Sequence, residues 1–194
     1  MAKKRIGILT GGGDVPGLNG VIKGVTYRAE ELGFEVLGIR RGWEGLTHLK
    51  PGSTEDEKYL VPLTLDNTRT IDRTGGTWLH SSRTNPRKMK QAALPPTLDA
   101  KKAESMKVGE DRYDITSLVM DNVETLGLDY LIPIGGDDTL SYSRSLHDAG
   151  MDIIAVPKTM DNDVQGTEYC IGFSTAITRA KDAINRQRTT IGSH

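Results

Sequence analysis

The residues best suited to chemistry are clustered. Lys158, Thr159, Asp161 and Asp163 fall within six positions, directly after the apolar run that ends at Val156. A lysine there can neutralise phosphate as a point charge, a threonine can donate a hydrogen bond, and an aspartate can take the proton of an attacking hydroxyl. An Asx-rich surface turn is the plainer reading of the same residues. A second cluster, Gly135-Gly136-Asp137-Asp138, opens space beside two adjacent carboxylates, hard oxygen ligands that suit Mg²⁺ bound jointly with substrate phosphates. Asp138 by itself also reads as the N-cap of a helix beginning near Thr139. The third, Gly11-Gly12-Gly13-Asp14, removes side chains where backbone N–H groups and a following helix N-terminus can meet an anion, although a tight strand-to-helix turn needs the same glycines. Its spacing matches neither G-x-G-x-x-G nor G-x-x-x-x-G-K-[ST], which disfavours an ordinary dehydrogenase or P-loop enzyme. In a fourth segment, Gly75-Gly76-Thr77 through Ser81-Ser82-Arg83, the fork of donors on Arg83 can grip phosphate oxygens. Arg87, Lys88 and Lys90 beyond it read as a solvated basic face.

These clusters need elements that bring them together. Arg5 to Thr10 is a short apolar strand, and Val21, Ile22, Val25, Ala29 and Leu32 recur at helical spacing before Gly33. Phe34 to Ile39 is a second strand, so the three pieces form a βαβ unit with parallel strands. From Arg40 to Asp114 the pattern is irregular and predicts little. Order returns with the stripe Ile115, Leu118, Val119, Asn122, Val123 and Leu126, ended by Gly127, then a strand over Tyr130 to Ile134. Leu140, Leu146 and Ala149 predict a helix closed by Gly150, Asp152 to Val156 a strand, and Ala176, Ile177, Ala180 and Ile184 a last helix. The expected fold is α/β: a three-layer, Rossmann-like, mostly parallel sheet with helices on both faces, as one domain over residues 1–194. Such sheets bind ligands at the carboxyl ends of their strands, where the three glycine- and carboxylate-bearing turns would converge.

Composition limits the function further. The 194 residues are 36% apolar and 26% charged, and 22 glycines, about 11% against roughly 7% on average, imply many tight turns. Twenty-five basic against 26 acidic residues give a net charge of −1, so no overall positive field marks a nucleic-acid or anionic-membrane partner. The single Cys170 excludes an intrachain disulfide framework and a cysteine-rich zinc site. His48, His80, His147 and His194 show no metal-ligand spacing and read as surface or packing residues. No apolar run reaches the length of a membrane span or a signal-peptide core, so a soluble, cytoplasmic protein is expected.

In combination, these segments resemble the 6-phosphofructokinase family. The resemblance rests on Gly7 to Asp14 with Pro16-Gly17-Leu18-Asn19, Gly75-Gly76-Thr77 with Ser82-Arg83, Ile134 to Thr139, Pro157 to Asp163, and Gly166 to Phe173, all in the family's order. It implies the family's N-terminal lobe and Mg²⁺-dependent phosphoryl transfer to the 1-hydroxyl of fructose 6-phosphate. By the same resemblance, Asp161 is the base, Thr159 and Asp163 line the acceptor site, Asp137 engages Mg²⁺, and Gly12 and Arg83 contact the donor. ATP-using members typically carry glycine where this chain has Asp138 and Lys158. A carboxylate at the first position crowds and repels a nucleotide's α-phosphate, and a lysine at the second can hold a terminal phosphate. Both changes point to pyrophosphate as donor, with ATP as the close alternative.

Gly11 stands where the family commonly has serine, and Met160 where it has isoleucine. The Met-Gly-Arg segment that grips the sugar phosphate does not occur in these 194 residues. The chain therefore reads as an N-terminal portion, apparently truncated before the second lobe and incomplete as an enzyme on its own. A non-catalytic phosphate-binding module, half of a two-part assembly, and an NAD or lipid kinase sharing the Gly-Gly-Asp turn are the competing classes. The resemblance also implies a homo-oligomer for the full-length form.

Overall fold

The computed structural model describes residues 3–50, 52 and 54–193, and His194 lies outside the described residues. Along the chain come β1 (Arg5–Thr10), α1 (Leu18–Glu31), β2 (Glu35–Ile39), α2 (Trp43–His48), β3 (Leu60–Leu63) and α3 (Leu65–Thr68). Then follow α4 (Ala100–Ser105), β4 (Lys107–Gly109), β5 (Arg112–Tyr113), α5 (Thr116–Thr125), β6 (Tyr130–Gly135) and α6 (Asp137–Asp148). The last elements are β7 (Val156–Thr159), β8 (Ile171–Gly172) and α7 (Phe173–Ile191). Six strands form one sheet in the order β3-β2-β1-β6-β7-β8, with only β3 antiparallel to its neighbour.

The period of two along a strand builds the layers. Ile6 and Ile8 of β1, with Ile132 and Ile134 of β6, face Leu18, Ile22 and Ala29 of α1. Leu9, Ile39 and Leu131 face the other way, onto Trp43 and Leu46 of α2, Val119 and Val123 of α5, and Tyr142 and Leu146 of α6. Each fully buried Leu or Ile contributes about 1.5–3 kcal/mol relative to exposure, which is why α1 keeps its apolar side against the sheet. The expected three-layer arrangement with helices on both faces is the one observed.

Two expectations need correction. The strand expected over residues 152–156 starts only at Val156, preceded by a single bridge between Ile153 and Leu131. The Leu131 amide donates to the Asp152 carbonyl, so odd-numbered residues of β6 face β7, and the next in line, Pro133, has no N–H to donate. Pairing resumes at Ile134–Val156 and Gly135–Pro157, again beside a proline. Asp138 is not an N-cap either: α6 begins at Asp137, two residues before the expected start, with Gly136 as its N-cap and no side-chain cap bond, because the chain turns directly off the end of β6.

The irregular stretch contains α2, β3 and a β4–β5 hairpin over a small core of Met89, Met106, Tyr113 and Ile115. At the far end, α7 buries none of its described residues, and Ile177, Ile184 and Ile191 are each more than half exposed. Among the described residues no helix is long and apolar enough to cross a membrane.

Candidate active site

The strands carrying the three polar turns, β1, β6 and β7, are consecutive and parallel in the sheet, so all three turns emerge at one edge. They line an open cavity of about 470 Å³. Its wall includes every candidate site residue of the sequence: Gly12 and Arg83 on one side, Asp137 and Asp138 in the middle, and Lys158, Thr159, Asp161 and Asp163 on the other.

The glycine turn is built by hydrogen bonds to a remote segment. The Gly11 amide donates to the Ile134 carbonyl at 2.8 Å and the Gly12 amide to the Ser82 carbonyl at 2.9 Å, while the Ser81 hydroxyl donates to the Gly12 carbonyl. These two amides are therefore already engaged, which favours the tight-turn reading for Gly11 and Gly12. Of the three glycine amides in this turn, that of Gly13 has no protein partner among the described residues. Gly12 sits at φ 78°, a left-handed conformation that favours glycine. The bridge between Gly11 and Ser82 extends the sheet by one residue and carries Arg83 to the cavity rim, where it is exposed.

Segment 74–82 is itself held from below. Asn19 of α1, 3% exposed, donates to the Thr74 carbonyl at 3.1 Å and accepts from the Trp78 amide at 2.7 Å. The Thr10 hydroxyl donates to the His80 carbonyl at 2.7 Å. Sequence reasoning placed Asn19 inside a motif without a task; its two contacts are 55 and 59 residues away and leave no local trace.

Lys158 is the distinctive group. Its residue is 5% exposed, and its Nζ donates to the Gly13 carbonyl at 2.5 Å. Among the described residues it forms no ion pair. Burial lowers its pKa below the ordinary lysine value, the Asp14 carboxylate opposes this, and the Arg83 charge adds to it. A buried ammonium held by one carbonyl is a ready counter-charge for an anion in the cavity.

The acidic loop has its own brace. The Thr159 hydroxyl accepts the Asp161 amide at 3.1 Å, leaving its proton available to a ligand. Asn162 turns the chain at φ 54°, its side chain accepting from the Cys170 amide at 2.9 Å and donating to the Glu168 carbonyl at 3.0 Å. Asn tolerates this left-handed geometry better than most residues, which separates Asp161 from Asp163 across the turn. An Asn between two aspartates is the sequence signal for this turn.

Asp137 and Asp138 occupy the first turn of α6, where negative charge complements the helix dipole. Among the described residues no three His, Cys, Asp or Glu side chains gather as a metal cage. The donor set nonetheless fits Mg²⁺, which takes one or two carboxylates and completes its shell with water and substrate phosphates.

The family described as phosphofructokinase matches residues 5–194. Among curated relatives, a pyrophosphate–fructose 6-phosphate 1-phosphotransferase of Dictyoglomus thermophilum is 41% identical, over 100% of this chain and 47% of its own length. An ATP-dependent 6-phosphofructokinase 3 of Streptomyces coelicolor is 42% identical over 98% of this chain and 47% of its own. The chain thus spans about half the length of the curated relatives it matches. Phosphofructokinase from Saccharomyces cerevisiae superposes with a TM-score of 0.73 at 23% identity, over 99% of this chain and 24% of that one. A pyrophosphate-dependent phosphofructokinase from Nitrosospira multiformis gives 0.60 at 20% identity, over 89% and 38% respectively. At such identities the two structures speak for the fold alone.

Proposed function

Because this chain belongs to the phosphofructokinase family, we propose that its cavity binds Mg²⁺-pyrophosphate and serves phosphoryl transfer to the 1-hydroxyl of fructose 6-phosphate, giving fructose 1,6-bisphosphate and phosphate. The observation that supports pyrophosphate is Lys158, a buried ammonium whose hydrogen-bond acceptor is the Gly13 carbonyl. Asp138 lines the same cavity, and its carboxylate would repel the longer phosphate chain of a nucleotide. ATP is the second reading, since relatives of near-equal identity carry both names.

In this reading Asp161 takes the proton of the sugar hydroxyl as that oxygen attacks the terminal phosphorus. The bond from phosphorus to the bridging oxygen breaks and phosphate leaves. Lys158 and Arg83 neutralise the transferring group, Thr159 and Asp163 orient the acceptor, and Asp137 holds the cation. Mg²⁺, when bound, offsets charge on the phosphate oxygens. Transfer of this kind depends mostly on positioning and charge neutralisation, which these residue types can supply. Residues 1–194 act as the donor-binding domain, and the rest of the sugar-phosphate pocket comes from a second lobe like that in longer relatives. A cytoplasmic location and association of several copies belong to the same proposal.

The test is the unfolding midpoint of the chain with Mg²⁺ alone, with Mg²⁺-pyrophosphate and with Mg²⁺-ATP. A ligand that binds only the native state raises it, by about 2.7 kcal/mol of stability at a hundredfold excess over Kd. A rise with pyrophosphate and not ATP is expected. A rise with ATP alone overturns the assignment of Asp138 and Lys158.

A further inference from the structure

Gly11 and Gly135 are the residues immediately beyond the register pair Thr10–Ile134 on neighbouring strands, and neither has a positive φ. Backbone conformation therefore does not explain why both are glycine. Thr139 does. A Cβ on Gly11 would run into the Thr139 hydroxyl and lie 3.0 Å from its Cγ2. A Cβ on Gly135 would overlap the Thr139 Cβ and come within 2.5 Å of both Cγ2 and Oγ1. The threonine is 5% exposed, so its branched side chain fills the space that both glycines leave bare. It lies in the first turn of α6, directly after Asp137 and Asp138, and its carbonyl accepts the Ser143 hydroxyl at 2.6 Å.

We propose that Thr139 is a positioning residue: a wedge, seated on Gly11 and Gly135, that sets the gap between the glycine turn and the acidic start of α6 and so the span across which a cation-bound diphosphate is held. The proposal rests on the donor-site reading above for its ligand, but not for the wedge itself. Real side chains almost never approach as closely as a Cβ at Gly11 or Gly135 would have to. A methyl at Gly135 overlaps the Thr139 Cβ, which no side-chain rotation moves, and must therefore push α6 outward, carrying both carboxylates away from Gly12, Gly13 and Lys158; one at Gly11 meets the hydroxyl and Cγ2 and either does the same or turns the threonine out of its seat. The fit also accounts for glycine at position 11, since a serine Cβ could enter only if residue 139 were smaller or turned aside.

The experiment combines Gly11→Ala, Thr139→Ala, the double variant and Thr139→Val, each followed by ligand-free unfolding and by titration with Mg²⁺-pyrophosphate. Gly11→Ala is expected to lower the unfolding midpoint and weaken binding roughly tenfold, and adding Thr139→Ala, which removes both atoms the new methyl would meet, to recover most of both, the non-additivity typical of residues in contact. Thr139→Val keeps the branched shape without the hydroxyl and is expected to bind much more tightly than Gly11→Ala. Additive midpoints for the Gly11 and Thr139 changes overturn the wedge whatever the ligand does. Loss of binding in Thr139→Val with an unchanged midpoint overturns positioning in favour of a direct ligand contact. If the unmodified chain does not bind pyrophosphate, the donor-site reading fails along with the diphosphate span, and non-additive midpoints then still identify the wedge.

Discussion

Lys158 combines two opposed properties, a charge that a phosphate needs and a burial that disfavours it. Anion binding favours the protonated amine, and the amine's pKa in the folded chain lies below the ordinary 10.5. Affinity for pyrophosphate is therefore expected to fall as pH rises through that lowered value, in a range where an exposed lysine would still be charged. Titrations across alkaline pH check this, and Lys158→Gln should remove that pH dependence together with most of the affinity. Asp138→Gly is expected to raise the midpoint shift with Mg²⁺-ATP relative to Mg²⁺-pyrophosphate; an unchanged ratio places donor choice elsewhere. Where the chain turns over, Asp161→Ala should cut kcat by about 10²–10⁴ and leave the pyrophosphate shift in place. Comparable turnover would remove Asp161 from the role of base. At this scale the sequence was legible because the chemistry is local: Lys158 to Asp163 announce themselves by type and spacing. Asn19, Asn162 and Thr139 did not, because their work is done on partners that only the fold brings near.

Element by element, strands and helices with a strong period were readable and those without one were not. β1 matches its expected limits, and α1 and α5 end just before Gly33 and Gly127 as expected. α2, β3 and the β4–β5 hairpin were hidden, being four- to six-residue elements or shorter whose burial is set by neighbours far along the chain. The late start of β7 was obscured because its cause, Pro133, lies in a different strand. Among these elements α1 has a second task besides packing, through Asn19. Asn19→Ala leaves the Trp78 amide and the Thr74 carbonyl without their partner, and should cost about 1–3 kcal/mol by urea denaturation. Because segment 74–82 leads to Arg83, the same change is expected to weaken pyrophosphate binding more than the stability loss alone would.

Across the whole molecule, stability is concentrated in the two faces of the central strands. Leu146→Ala, in the layer under α2, α5 and α6, should cost about 2–5 kcal/mol. Ile184→Ser on α7 should change stability by no more than about 0.5 kcal/mol, because nothing among the described residues covers it; denaturant midpoints of the two variants make the comparison. The sheet itself is uneven in the same way. β1 is laddered on both sides, to β2 and to β6, whereas β6 meets β7 across Pro133 and Pro157. The donor turn thus grows from the best-bonded strand and the Lys158–Asp163 loop from a lightly bonded one. In hydrogen–deuterium exchange, the amides of Leu9 and Thr10 should outlast those of Lys158 and Thr159 by orders of magnitude, since opening of the second pair requires only local unfolding. The glycine turn after β1 would then act as a fixed jaw and the Lys158–Asp163 loop as a compliant one, able to close on whatever the fixed jaw has already captured.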